Sequence, residues 1–250
     1  MNAERMKGLR AFLKDSARKQ FDFSTTDQNR GVPPPPVQKP LPKDARPTDL
    51  PLPGRDGVEG IDLQRAMGNR RSRRQYKGLA LSMEELSFLL WAVQGLREMP
   101  TSARAFRTVP SAGCRHALET YLAVFRVEGL VVGVYRYLPL THQITLEFAD
   151  EGLAPKLAEA AMGQSFVGQA AVTFIWAAIP YRMEWRYGEV SHKVIALDAG
   201  HVCQNLYLAC EAIHAGTCAV AAYDQERLDE LLRIDGQEEF AIYLAPVGKV

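Results

Sequence analysis

Hydrophobic and polar positions along the chain divide it into three stretches of different character. Residues 2–19 place Met6, Leu9, Phe12 and Leu13 on one side of a basic segment, the spacing of an amphipathic helix that docks on the body or on a partner subunit. From Gly31 to Gly54 the run "GVPPPPVQKPLPKDARPTDLPLPG" removes backbone donors and fixes φ, so neither helix nor central strand can form. Leu50, Leu52 and the spaced prolines suit an extended arm lying across a surface.

The body, residues 60–250, is expected to open with a short helix through Met67. Ser82 and Glu85 then form a capping box ahead of a helix closed by Gly95. Residues 120–127 alternate as a strand, and "VVGVYRY" and "QITLEF" form a hairpin around Pro139–Thr141. Residues 153–162 are helical, and "AVTFIWAAI" (171–179) is a strand buried on both faces. Residues 194–216, apolar or small almost all round, predict a long central helix with Gly216 as its C-cap. A loop "TCAVAAY", a helix "DQERLDELLRI" and a final strand "EFAIYLAPVG" follow. The irregular order of helices and strands predicts an α+β fold rather than a doubly wound sheet, with residues 1–59 as a helix plus arm.

Composition narrows the function. In 250 residues, 30 basic side chains meet 29 acidic ones for a net charge of +1, so no global field gathers nucleic acid or coats an anionic membrane. No uncharged apolar run approaches the roughly 20 residues of a membrane span. The cysteines, Cys114, Cys203, Cys210 and Cys218, form no CxxC pair, and the start lacks a signal-peptide pattern; a reduced, cytoplasmic protein is expected. Cys203 and Cys210 share a helix face and are expected to be buried; His201 on the same helix is expected in the core or at an interface. Neither GxGxxG nor GxxxxGK[ST] occurs, and "GQSFVG" does not fit a nucleophile elbow. The histidines have no metal-binding spacing. Cys114 and His116, two apart on an extended segment, would face opposite ways and make no nucleophile–base pair. What stands out is "RRSRRQY" (70–76): either a solvated charged turn or a site whose guanidinium forks, hydroxyl and backbone N–H groups hold a phosphate monoester.

"RRSRRQY" resembles the opening signature of the nitroreductase superfamily of FMN-dependent enzymes. "VPSAGCRHALETYLAVF" (109–125) is similar to that family's second flavin segment, "TCAVAAYD" (217–224) to its third, and "APVGK" to its last strand. "PSAGCRHALETY", "GVYRYLPLTHQI", "WRYGE" and "DAGHVCQNLYLA" look most like the azoline-oxidase-like branch. The resemblance implies a central, mostly antiparallel sheet flanked by helices, in an entwined homodimer with one FMN per subunit at the interface. It implies that Arg70, Arg71, Ser72 and Arg74 hold the phosphate and ribityl end, with Lys249 reaching the phosphate and Arg73 facing solvent. Pro110, Ser111, Ala112, Gly113, Cys114 and His116 would border the flavin ring, and the N–H groups of Ala221 and Ala222 would approach its N5. Hydride would pass between N5 and a small organic substrate with NAD(P)H as donor, Tyr187 relaying a proton and Arg186 orienting an anionic group. The branch's usual Lys-Tyr pair is here Arg186-Tyr187, its arginine-rich segment reads "VSHK", and Ala117 replaces a proline. The alternatives are azoline oxidation in a modified peptide, flavin binding without turnover, and a phosphate or nucleic-acid module. No metal is implied.

Overall fold

The computed structural model describes residues 3–53 and 58–250, so that Asn2 of the predicted first helix and Gly54 at the end of the proline-rich run lie outside the described residues. Helix α1 spans Ala3–Ala11, and the arm supplies strand β1, Thr48–Asp49. Helices α2 (Leu63–Asn69) and α3 (Met83–Gln94) follow, then strands β2 (Leu96–Thr101), β3 (Arg104–Arg107), β4 (Leu118–Val124), β5 (Gly133–Leu138) and β6 (Gln143–Ala149). The rest is α4 (Leu153–Ala160), α5 (Phe166–Gln169), β7 (Val172–Ala178), α6 (Tyr181–Tyr187), α7 (His192–Glu211), β8 (Ala215–Thr217), α8 (Gln225–Leu232) and β9 (Phe240–Lys249).

The main sheet has the order β1-β6-β5-β4-β7-β9-β8, each neighbouring pair antiparallel. Strand alternation splits the core in two. On β4, Leu118, Leu122 and Val124 join Ile195, Val202 and Leu206 of α7, whereas Tyr121 and Ala123 join Leu157 of α4 and Leu228 of α8. β7, flanked by β4 and β9, is buried along its whole length, as its unbroken apolar run predicts. The capping box of Ser82 and Glu85 is present in full. Among the described residues no helix is long and apolar enough to cross a membrane.

Three expectations change. α1 is shorter than its amphipathic stretch, and Leu9, Phe12 and Leu13 are exposed instead of docked on the body. α7 ends at Glu211, and Gly216 lies in β8 rather than at a helix cap. Close approach explains this glycine: a Cβ would stand 2.5 Å from Arg73 Cδ and 2.8 Å from Val250 Cγ1. Nor is α7 buried all round, since Ala196, Leu197, Gly200, His201 and Gln204 form an exposed stripe.

The arm is part of the body's hydrogen bonding. Val37 and Leu50 are buried, while Leu52 is exposed. Arg107 Nη2 donates to the Val37 carbonyl at 2.7 Å, and Arg136 donates to the carbonyls of Lys39 and Pro40 at 3.0 and 3.1 Å. In return, Lys39 N–H donates to Glu119 Oε1 at 2.8 Å. Glu119 also pairs with Arg182 at 2.5 Å and Arg136 at 3.7 Å, and all three side chains are buried. Burial brings the Arg107 guanidinium down to about 10, still protonated at neutral pH.

Candidate active site

The arginine cluster leaves the C-terminus of α2, where Arg70 is the cap residue. Ser72 bridges to Thr217 of β8, and Arg73 N–H donates to the Thr217 carbonyl at 2.9 Å. Ser72 Oγ lies 3.0 Å from the hydroxyl of Tyr207, whose ring carries the Arg70 guanidinium at 5.4 Å, a cation–π distance. Arg74 stands over Phe166 at 5.8 Å, and Arg71 folds back onto the carbonyls of Gly68 and Arg70 at 3.2 Å each. Ser72, Arg71 and Arg74 are exposed, and Arg70 is half-buried.

Two residues at this end have settings that the sequence does not show. Arg73 does not face solvent: it is half-buried against Gly216, with a buried Nε that has no hydrogen-bond partner. The Lys249 ammonium is engaged by Glu85 and by the Ile213 carbonyl at 2.7 Å, and so ties β9 to the cap of α3.

The loop after β8 is pinned on both sides of its exposed tip. Ala219 N–H donates to Tyr207 OH at 2.9 Å, Val220 exchanges backbone bonds with Leu244 at 2.8 and 3.1 Å, and the Ala222 carbonyl accepts from Gln164 at 2.8 Å. Among the described residues the N–H groups of Ala221 and Ala222 have no acceptor. Ala221 borders a cavity of about 410 Å³ with Ile195, Ala199, Gly200 and Tyr243.

A second cluster forms around the loop before β4. Gly113 has φ +57°, and a Cβ there would lie 2.6 Å from Arg186 Nε and from the Tyr187 hydroxyl. The loop thus brings Arg186 and Tyr187 against the Pro110–Cys114 segment; Pro110 and Gly113 are exposed, and Ser111, Ala112 and Cys114 half-buried. Arg186 stacks on Tyr187 at 5.4 Å and donates to Gln28 Oε1 at 2.8 Å, while its buried Nε has no partner. The segment around Gln28 clasps α6. Tyr181 OH donates to Asp27 at 2.8 Å, Gln28 N–H to the Trp185 carbonyl at 2.9 Å, and Trp185 Nε1 to the Val32 carbonyl at 2.9 Å.

His116 differs from expectation. It is 3 % exposed, with its ring turned inward. Positive φ at Gly113, Cys114 and His116 makes the segment a turn, not an extended run, and both side chains approach the Ala105 carbonyl, Cys114 Sγ at 3.6 Å and His116 Nε2 at 2.8 Å. A carbonyl only accepts, so Nε2 carries the proton. Burial, then the nearby Arg107, brings His116 down to about 3 from its ordinary 6.5. The unfolded chain therefore takes up a proton near pH 6.5 that the folded chain refuses until about pH 3. The contribution of neutral His116 is complete above that window and lost as pH falls through it. Urea midpoints measured across this range should fall more steeply in the wild type than in His116→Gln; parallel curves would remove His116 as the cause.

Asp198, Tyr207 and Gln28 were not singled out in the sequence. Asp198 accepts from Ala112 N–H at 3.4 Å, has its other oxygen unpartnered, and is held above the usual carboxylate range by burial. Asp198 and Tyr207 are both on α7, nine residues apart. That is roughly 13 Å along the axis and about 180° around it. The Gly113 loop and the arginine–serine cluster therefore meet opposite sides of one helix.

A model of the nitroreductase family matches residues 67–249. A Methanocaldococcus jannaschii protein named as a nitroreductase is 37% identical over 192 residues, spanning 77% of this chain and 93% of that protein. The trifolitoxin-processing protein TfxB of Rhizobium leguminosarum bv. trifolii is 28% identical over 133 residues, 52% of this chain and 36% of that protein. A solved structure of a Ralstonia eutropha protein described as a nitroreductase shares the fold with a TM-score of 0.68 at 26% identity, covering 87% of this chain and 98% of that one. With its antiparallel sheet and long central helix, the chain belongs to the nitroreductase family.

Proposed function

We propose that this oxidoreductase-family chain binds FMN and works as a homodimer on a small organic substrate. The observation that carries the reading is the edge formed by half-buried Arg70 and exposed Ser72 and Arg74, beside a loop whose Ala221 and Ala222 N–H groups lack acceptors among the described residues. This donor set fits the cofactor: guanidinium groups and a hydroxyl for a phosphate, and small residues with free N–H groups for a flat ring that carries negative charge when reduced. Bound FMN would supply the centre that accepts and donates hydride. Arg70, Arg71, Ser72 and Arg74 hold its phosphate end. The free donors of Arg186 orient an anionic group of substrate or NAD(P)H, and the Tyr187 hydroxyl moves a proton at the substrate. The half-sites on opposite sides of α7 support a dimer, in which the Gly113 loop of one copy would complete the arginine–serine half of the other. The exposed stripe of α7 supports it too.

A second reading, oxidation of azoline rings in a modified peptide, draws support from the likeness to the trifolitoxin-processing protein. Arg186 argues against it, because a guanidinium does not release a proton as a tuned lysine does.

A visible spectrum tests the proposal: a preparation that stays colourless after incubation with FMN would sink it. Arg70→Ala and Ser72→Ala should each weaken FMN binding roughly 10- to 150-fold, the range of one charge-assisted hydrogen bond. Unchanged affinity in both variants rejects the phosphate assignment. NAD(P)H oxidation with a quinone or nitroaromatic acceptor separates turnover from binding alone.

A further inference from the structure

We propose that Tyr207 is a positioning residue that turns the Ser72 hydroxyl proton outward, making Ser72 a donor to the phosphate of a flavin mononucleotide. The inference rests on the FMN reading above and follows from counting protons. A tyrosine hydroxyl has one proton and accepts through its oxygen. Tyr207 OH already accepts from Ala219 N–H at 2.9 Å. Its proton is left for Ser72 Oγ, 3.0 Å away. With Tyr207 as donor, the proton of Ser72 is free to point away from Tyr207. Ser72 is exposed, and Arg70 lies on the Tyr207 ring at 5.4 Å, so this hydroxyl faces the cationic edge. The opposite direction, Ser72 donating to Tyr207, would give Tyr207 two donors and leave its own proton without an acceptor.

The role is distinct from a merely structural one because it concerns the phosphate alone. Tyr207→Phe keeps the ring under Arg70 and removes the hydroxyl. Loosening of the Ala219 loop would weaken FMN and riboflavin alike and cancel in their ratio. Loss of Ser72 orientation would weaken only FMN, which carries the phosphate.

The experiment is titration of both flavins into apoprotein of the wild type, Tyr207→Phe, Ser72→Ala and the double variant, with circular dichroism to check folding. Tyr207→Phe should lower the preference for FMN over riboflavin roughly two- to tenfold, the worth of one neutral hydrogen bond. Added to Ser72→Ala, it should lower that preference no further. Equal loss of both flavins in Tyr207→Phe, or an additive loss of preference in the double variant, overturns the proposal. Should Tyr207→Phe fail to fold, Ser72→Ala decides: a loss equal for FMN and riboflavin overturns it, and a loss confined to FMN supports it. A wild-type chain that binds neither flavin overturns the cofactor reading itself, and this proposal with it.

Discussion

Glu119→Ala is expected to lower the melting temperature by about 10 °C. Glu119 accepts from Arg182 at 2.5 Å and from Lys39 N–H at 2.8 Å, with Arg136 at 3.7 Å, and the side chains of Glu119, Arg136 and Arg182 are 3 % exposed or less. Arg136 keeps Glu147 at 2.8 Å, but removing the carboxylate leaves the Arg182 guanidinium in the interior with an uncompensated charge, which costs about 3–5 kcal/mol. In a chain of this size each kcal/mol is worth about 2–4 °C. Replacing Arg182 by methionine in the same chain should recover part of the loss, since a neutral apolar pair avoids the stranded charge. Thermal unfolding followed by circular dichroism checks this; a fall under about 3 °C would show that water reaches the cluster.

Deleting the arm should be as damaging. A chain beginning at residue 58 loses the carbonyls of Val37, Lys39 and Pro40 that accept from Arg107 and Arg136, and loses Lys39 beside Tyr121 and Glu239. Hydrogen bonds to charged groups are worth about 1.5–3 kcal/mol each, so the three arginine contacts alone exceed about 4 kcal/mol. The burial of Val37 and Leu50 adds to this. A chain beginning at residue 21 should unfold at nearly the wild-type urea concentration, because α1 buries none of its residues. Equal midpoints for the two truncations would mean that the arm is a passenger.

Local chemistry was legible in the sequence wherever a segment settles its own structure. The capping box of α3, the β5–β6 hairpin and the all-apolar β7 each depend on residues close together in the chain. α6 was hidden for the opposite reason. Its sequence "YRMEWRY" has no apolar stripe because both sides are covered, one by the core through Met183 and the other by residues 27–32. Its buried Arg182 is satisfied by Glu119 and the His116 carbonyl, so burial leaves no hydrophobic trace. The end of α7 was misplaced because Gly216 looks like a cap, whereas pairing with β9 draws it into a strand.

The site was legible as motifs but not as a geometry. The arginines and Ser72 could be singled out because four cations fall in five positions. Their tyrosine could not, since it lies 135 residues away in a helix that looks like plain core. The same holds for Gln28 and Arg186, 158 residues apart. The pairing of Lys249 with Glu85 was equally hidden, because sequence shows a cation and not the carboxylate 164 residues away that meets it.

The arm meets Arg107 and Arg136 with main-chain oxygens, from Val37, Lys39 and Pro40. Every residue type offers that oxygen, and proline offers it without a donor of its own that would need a partner. These three contacts therefore ask nothing of the side chains and fix only the spacing; the buried Val37 and the Lys39 ammonium beside Tyr121 and Glu239 are separate constraints. A substitution scan would pass over these contacts, whereas inserting or removing one residue between Val37 and Pro40 would shift the carbonyls away from the arginines. What the two arginines demand of the arm is that it keep count.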